Sequence, residues 1–83
     1  MAPRTYVSET FDHDGFSKRL RWIRRHLDMT QDDVAEKLGL VSSSVAHYEL
    51  GNRLPSLMVL HDLCMLYDVA ADWLFWGEDE DDA

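Results

Sequence analysis

Apolar residues recur at helical spacing along most of this chain. Between residues 16 and 28 they follow one another at intervals of four, three and four positions. Such spacing lines up one apolar stripe and predicts an α-helix over residues 16–28. The residues of this stripe are Phe16, Leu20, Ile23 and Leu27. Similar stripes predict four further helices, one after Thr30, one over 42–50, one over 57–67 and a short one from residue 69. The predicted fold class is therefore all-α.

Residues that start and end helices lie at the edges of these stripes. Thr30 precedes Asp33 by three positions, which resembles a capping box, and Ser56 is placed to cap the fourth helix. Glycine tolerates the left-handed conformation of a helix exit, and it follows the second, third and last helices. These glycines are Gly39, Gly51 and Gly77. The pattern thus predicts where the helices stop as well as which face is buried.

The length of 83 residues is enough for one domain. We assign residues 1–15 to an N-terminal arm, which holds a short extended segment from Thr5 to Phe11 and ends at Gly15. Residues 16–77 form the predicted helical domain, and residues 78–83 form an acidic tail that we expect to be disordered. No apolar run approaches the ~20 residues of a membrane span, and the first residues lack a signal-peptide pattern. We expect a cytoplasmic protein with no membrane association.

Residues with catalytic or metal-binding chemistry are sparse. The one cysteine, Cys64, lies in an apolar stretch, and we interpret it as a buried, reduced thiol. The four histidines are too far apart for local zinc-ligand spacing. They are His13, His26, His47 and His61. No nucleophile, base or carboxylate grouping typical of catalysis is visible. We therefore expect no enzyme activity, no metal and no cofactor.

The net charge of −8 disfavours nucleic-acid binding by the chain as a whole, because phosphate repels an acidic protein at long range. The charges are unevenly distributed. Residues 17–56 carry seven Lys and Arg against five Asp and Glu, whereas residues 57–77 carry three aspartates and residues 78–82 are all acidic. The middle of the chain is mildly basic, so a nucleic-acid partner there remains compatible with the composition.

The most informative stretch runs from Gln31 to Leu50, QDDVAEKLGLVSSSVAHYEL. Two short helices are separated here by a turn of three or four residues. Ala35 is small enough for the second helix to cross it closely, and Gly39 allows the chain to reverse direction. This arrangement predicts that the front of the second helix protrudes far enough to enter a groove about 12 Å wide.

At these residues the sequence resembles the Cro/repressor-type helix-turn-helix proteins of phages and bacteria, the XRE family. The resemblance covers roughly residues 16–77, through RLRWIRR, MTQDDVAEKLGL, SVAHYELGNRLPS, LHDLCMLYDV and DWLFWG. It implies a five-helix, lambda-repressor-like DNA-binding domain. It also implies a sequence-specific transcriptional regulator, most simply a repressor that binds a pseudo-palindromic double-stranded DNA operator as a homodimer.

The resemblance also implies which residues contact DNA. A glutamine at the start of the second helix contacts phosphate and a neighbouring base-contacting residue. Side chains on the third helix face base edges, and the loop after that helix binds the DNA backbone. The matching positions are Gln31, Ser42, Ser43, Ser44, His47, Asn52 and Arg53. Arg24 and Glu49 match a partly buried ion pair that positions the third helix.

A second class of function is open at this stage, namely a protein-interaction module on a helix-turn-helix scaffold, such as an antitoxin or a regulator-binding protein. The third helix has no Arg, Lys, Gln or Asn at its front, and these are the side chains that discriminate bases best. The acidic tail and the aromatic residues near position 75 are candidate surfaces for a protein partner. Within them, Phe75 and Trp76 are interpreted as a dimer interface.

Overall fold

The computed structural model describes residues 11–77, and within this range it contains five α-helices and no β-strand. The helices are α1 (His13–His26), α2 (Gln31–Leu38), α3 (Ser42–Leu50), α4 (Leu57–Tyr67) and α5 (Ala71–Trp76). The all-α, five-helix prediction is confirmed. None of the five is both long and apolar enough to cross a bilayer. The predicted extended segment, apart from Phe11, and the predicted acidic tail lie outside the described residues.

Helix α1 begins earlier and ends earlier than the apolar stripe predicts. The side chain of Asp12 accepts a hydrogen bond from the backbone N–H of Gly15 at 3.0 Å, so the helix begins at His13. Residues 13–15, which were assigned to the arm, therefore belong to α1. At the other end the helix stops at His26, and Asp28 adopts a left-handed conformation with φ of 58°. Leu27 was predicted to face inward, but it follows the last helical turn and is 42% exposed.

The start of α2 has the capping box that the sequence predicts. The hydroxyl of Thr30 accepts from the backbone N–H of Asp33 at 3.0 Å, and the carboxylate of Asp33 accepts from the N–H of Thr30 at 2.9 Å. The hydrogen bonds that the Asp33 carboxylate makes with Thr30, first with its backbone N–H, lower the pKa of Asp33, because they favour the charged form. The helix ends at Gly39, whose φ of 69° is the left-handed exit expected of a glycine at this position.

The core consists of ten buried apolar side chains contributed by all five helices. They are Phe16, Leu20, Ile23, Val34, Ala35, Val45, Tyr48, Leu63, Tyr67 and Leu74. The thiol of Cys64 packs beside this core and is half-buried, and partial burial raises its pKa. Helix α5 begins at Ala71, two residues after the predicted start, and Leu74 is the residue that it buries completely.

A long-range contact fixes α5 against α1. The guanidinium of Arg19 donates from Nε to the carbonyl oxygen of Leu74 and from Nη2 to that of Phe75, both at 2.8 Å. These carbonyls lie in the last turn of α5 and lack intrahelical partners, so a cation there satisfies them and complements the helix dipole. Arg19 therefore has a structural role at the C-terminal end of α5.

Substituting Thr30 with alanine is expected to lower the free energy of unfolding by about 1 kcal/mol, since it removes the hydroxyl that caps α2. Equilibrium denaturation in urea measures this change. Thr30→Ser keeps the acceptor and serves as the control. An alanine variant as stable as the unaltered chain would contradict the assignment of this cap.

Candidate nucleic-acid interface

Helices α2 and α3 are joined by three residues, 39–41, and pack against each other through side chains that exclude solvent. Val34 and Ala35 on α2 are 0% and 3% exposed, and Val45 on α3 is 2% exposed. The small side chain of Ala35 permits this close crossing, as the sequence predicts. On the other side of α3, Ser43 and Leu50 are exposed, and Ser42, Ser44 and His47 are half-buried. We call Ser42, Ser43, Ser44 and His47 the front of α3.

A buried ion pair holds α3 against α1. Arg24 donates from Nε and Nη2 to the two carboxylate oxygens of Glu49 at 2.6 and 2.9 Å, which is a bidentate pair. The side chains are only 10% and 2% exposed. The hydrogen bond to Glu49 raises the pKa of Arg24. Arg24 also donates from Nη1 to the carbonyl of Met29 at 2.8 Å, so one guanidinium joins α1, the loop before α2 and α3.

Tyr67 of α4 lies close to this pair. Burial, together with the negative charge of Glu49, raises the pKa of the Tyr67 hydroxyl far above its ordinary value. The phenol therefore stays protonated at any physiological pH. Arg24 and Glu49, which were predicted as an ion pair, thus form the polar centre of the domain and set the position of α3.

Gln31 is the first residue of α2, and its side chain points into this same network. Its amide Nε2 donates to Oε1 of Glu49 at 3.0 Å, and the residue is half-buried. The cap of α2 is formed by Thr30, one residue before the position that the resemblance implied. The amide of Gln31 therefore lies between the buried pair and the solvent side of α2.

The three serines at the front of α3 differ in their surroundings. The hydroxyl of Ser42 donates to Oδ1 of Asp32 on α2. Ser43 is exposed and Ser44 is half-buried. The cap residue of α3 is Val41, which has no side-chain acceptor, so the carboxylate of Asp32 is the acidic group beside this helix start. The sequence reasoning missed Asp32, although its acidic side chain lies one position after Gln31.

His47 and Asn52 form a pair at the other end of the front. Nδ1 of His47 lies 2.9 Å from Oδ1 of Asn52, so the amide oxygen accepts the proton of Nδ1. In the neutral ring Nε2 then remains as an acceptor. Arg53 follows in the loop and is exposed, and it makes no ion pair with any of residues 11–77. The structure thus brings His47, Asn52 and Arg53 to the C-terminal end of α3.

The two aromatic residues predicted for a dimer interface differ in exposure. Phe75 packs on the core, with ring centroids 5.7 Å from Phe11 and 6.0 Å from Phe16. Trp76 is 61% exposed. Another exposed tryptophan, Trp22, stacks on His26 with centroids 4.8 Å apart. Sequence reasoning did not single out Trp22, although it falls outside the apolar stripe of α1.

The helix-turn-helix domain family matches residues 17–80 of this sequence, which is most of the chain. The chain belongs to this family. A curated relative, an uncharacterized HTH-type transcriptional regulator of Bacillus subtilis called YqaE, is 36% identical over 63 residues. The match covers 76% of this chain and 54% of the relative, so the chain spans about half the length of that protein.

Solved structures of helix-turn-helix proteins share the fold. The restriction-modification controller protein C.AhdI from Aeromonas hydrophila superposes with a TM-score of 0.71 at 33% identity, covering 77% of this chain and 97% of that one. The P22 c2 repressor, solved in complex with a synthetic operator, gives a TM-score of 0.72 at 21% identity, covering 76% and 96%. The second likeness is one of fold alone.

Among residues 11–77 there is no group of three or more His, Cys, Asp or Glu side chains arranged to hold a metal ion. The groups brought together at the α2–α3 surface are hydroxyls, an imidazole, amides, a guanidinium and a carboxylate. Such groups donate and accept hydrogen bonds, and this surface is therefore suited to recognition of a polar partner.

Proposed function

We propose that this helix-turn-helix domain is a sequence-specific DNA-binding transcriptional regulator, and that it represses by occupying a pseudo-palindromic operator as a homodimer. The observation that carries the proposal is the polar front of α3, in which Ser43 is exposed and the other three residues are half-buried, on a helix joined to α1 by the buried Arg24–Glu49 pair. Binding alone accounts for this role, so we propose no enzymatic activity. A DNA-binding role also favours a cytoplasmic location.

Base reading is assigned to the front of α3, in the major groove. The side chain of Ser43 is exposed, and His47 is anchored by Asn52 at 2.9 Å. Single hydrogen bonds from serine discriminate bases less than the bidentate contacts of arginine or glutamine. Operator specificity therefore depends on two half-sites read together and on the shape of the duplex.

The front of α3 is rich in hydrogen-bond acceptors. The hydroxyl proton of Ser42 is donated to Asp32, so its oxygen is left to accept, and in the Nδ1–H tautomer of His47 Nε2 accepts as well. In the major groove the donors are the amino groups of cytosine and adenine. We therefore propose that the bases facing Ser42 and His47 present amino groups.

Phosphate contacts are assigned to the groups around this front. Arg53 is exposed beside the end of α3 and carries a charge that no described residue neutralises. Asn52 orients His47 through its amide oxygen, and we assign its amide nitrogen, a hydrogen-bond donor, to the sugar–phosphate backbone of DNA. Gln31 and Ser44, both half-buried, are the two remaining candidates at the edge of the contact.

Once an operator has been selected from a random duplex library, two substitutions distinguish base contacts from phosphate contacts. His47→Ala is expected to lower affinity for that operator by about tenfold, with a smaller loss on unrelated duplexes, because it removes a base contact. Arg53→Gln is expected to weaken binding to all duplexes and to reduce the salt slope by about 1. Binding isotherms over a series of salt concentrations measure both effects.

Met65→Ala serves as the matched control, since Met65 is 70% exposed on α4, outside the α2–α3 unit. Its affinity and salt slope are expected to equal those of the unaltered chain. A library that yields no preferred sequence, with uniformly weak binding to every duplex, would contradict the proposal. That result would favour the protein-interaction module instead.

A further inference from the structure

A basic groove lies on the outer face of α1, away from the core stripe. It has a volume of about 430 Å³ and is lined by Lys18, Arg21, Trp22, Arg25 and His26. Nζ of Lys18 lies 3.0 Å from Oδ2 of Asp14, and both side chains are about three-quarters exposed. Arg21 and Arg25 make no ion pair or side-chain hydrogen bond with any of residues 11–77. We call this surface the α1 groove.

The other cations among the described residues do not form a comparable cluster. Arg24 is buried against Glu49, and Arg19 is engaged by the carbonyls of α5. Lys37 and Arg53 lie on α2 and in the loop after α3, each separate from the α1 groove. The α1 groove therefore holds the concentration of positive charge that is best suited to an acidic partner.

The chain itself contains an acidic segment whose negative charge is complementary to the basic groove. Residues 78–82 have the sequence EDEDD, and they follow Gly77 directly. Gly77 touches Arg19 of α1 so closely that a Cβ atom added to it would lie 2.7 Å from Nη1 of that arginine. The acidic segment thus begins beside Arg19, on the same helix as the residues that line the groove.

We propose that the acidic segment 78–82 binds to the α1 groove of the same chain. Five residues span at most about 16–18 Å when extended. Arg25 lies about 9 Å along the helix axis from Arg19 and about 120° around it, a path of roughly 15 Å over a helix surface about 5–6 Å in radius. The segment is therefore long enough to reach every cation of the groove. Its carboxylates pair with Lys18, Arg21 and Arg25, and they compete there with any other polyanion, including nucleic-acid phosphate.

The indole N–H of Trp22 reports directly on the groove, because Trp22 lines it and is 55% exposed. The test compares the full chain with an amide variant in which Glu78 and Glu80 become Gln while Asp79, Asp81 and Asp82 become Asn. We expect the Trp22 indole signal in the 1H–15N spectrum to shift in the amide variant. Raising salt from about 0.02 M to about 0.5 M should produce the same shift in the unaltered chain, since salt screens the pairs.

Two single substitutions locate the contact. In an Arg25→Gln background, the shift caused by the amide variant should fall to half or less. Lys37→Gln removes one positive charge from α2 instead and should leave the shift unchanged. An unmoved Trp22 signal in the amide variant would overturn the proposal, and so would equal shifts in the Arg25→Gln and unaltered backgrounds. A shift that depends on protein concentration would assign the contact to a second copy and overturn binding within one chain.

Competition between the acidic segment and DNA phosphate is measured separately, from the salt dependence of binding to a duplex of arbitrary sequence. The salt slope of the amide variant should be steeper by about 3, since Lys18, Arg21 and Arg25 become available at about 0.9 each. This gain should fall to about 1 when Arg21→Gln and Arg25→Gln are combined with it. An equal gain in that background would show that the segment acts through net charge alone. The spectra require no DNA, so they stand independently of the proposed operator binding.

Discussion

Replacing Arg24 with methionine is expected to lower the free energy of unfolding by about 3–5 kcal/mol, because the carboxylate of Glu49 would be left buried without its partner. The side chain of Glu49 is 2% exposed, and its remaining donor would be the amide of Gln31 at 3.0 Å. A domain of this size has only about 5–10 kcal/mol to lose. The variant should therefore be close to unfolding at room temperature.

Urea denaturation followed by far-UV circular dichroism measures this loss. The matched control is the double variant Arg24→Met, Glu49→Met, which removes both charges together. We expect it to recover much of the lost stability, since burying two apolar side chains costs less than stranding one charge. If Arg24→Met were as stable as the unaltered chain, the pair would not be buried in solution. A double variant less stable than Arg24→Met would show that Glu49 still stabilises the fold without Arg24, which would contradict the stranded-charge explanation.

The buried pair also affects DNA binding through the position of α3. The Arg24–Glu49 pair joins α1 to α3. Through Met29 and Gln31 it is also bonded to the loop before α2 and to the first residue of α2. In the double variant α3 would keep its packing through Val45 and Tyr48 but lose this anchor. We expect a folded protein with weaker operator binding, because the front of α3 would be less rigidly held.

Local patterns predict most of this fold. Helices α3 and α4 have the predicted bounds, since Gly51 and Ser56 act at short range on the backbone beside them. The start of α1 was placed too late, because the cap is the side chain of Asp12, three positions before Gly15. Leu27 continues the apolar stripe, yet it is exposed because the helix has already ended.

Contacts between distant parts of the chain are not encoded in such patterns. In the sequence Arg19 is one of several basic residues on the polar faces of α1. In the structure it binds the carbonyls of residues 55 and 56 positions away. The same limit applies at the candidate site. Ser42 was singled out as a base reader, whereas its partnership with Asp32 depends on the angle between α2 and α3. The sequence does not show that Phe75 is packed on the core whereas Trp76 is exposed. This difference depends on which face of α5 is turned toward Phe16.

Trp76 is the residue whose substitution should affect self-association most. We expect the proposed homodimer to bury this side chain, which is 61% exposed at the end of α5. Two-fold symmetry places the same residue on both sides of an isologous interface. Truncation of a buried interface tryptophan commonly costs about 2 kcal/mol or more. Two copies cost about 4 kcal/mol together and should weaken dimerisation by about a thousandfold.

Sedimentation equilibrium of Trp76→Ala measures this loss, and Met65→Ala controls for the removal of an exposed apolar side chain from another helix. Operator binding should weaken in parallel and become more steeply dependent on protein concentration, since two monomers would have to meet on the duplex. Circular dichroism should stay unchanged, because Leu74 and Phe75 hold α5 to the core without Trp76. Unaltered self-association of Trp76→Ala would exclude this end of α5 from the dimer interface.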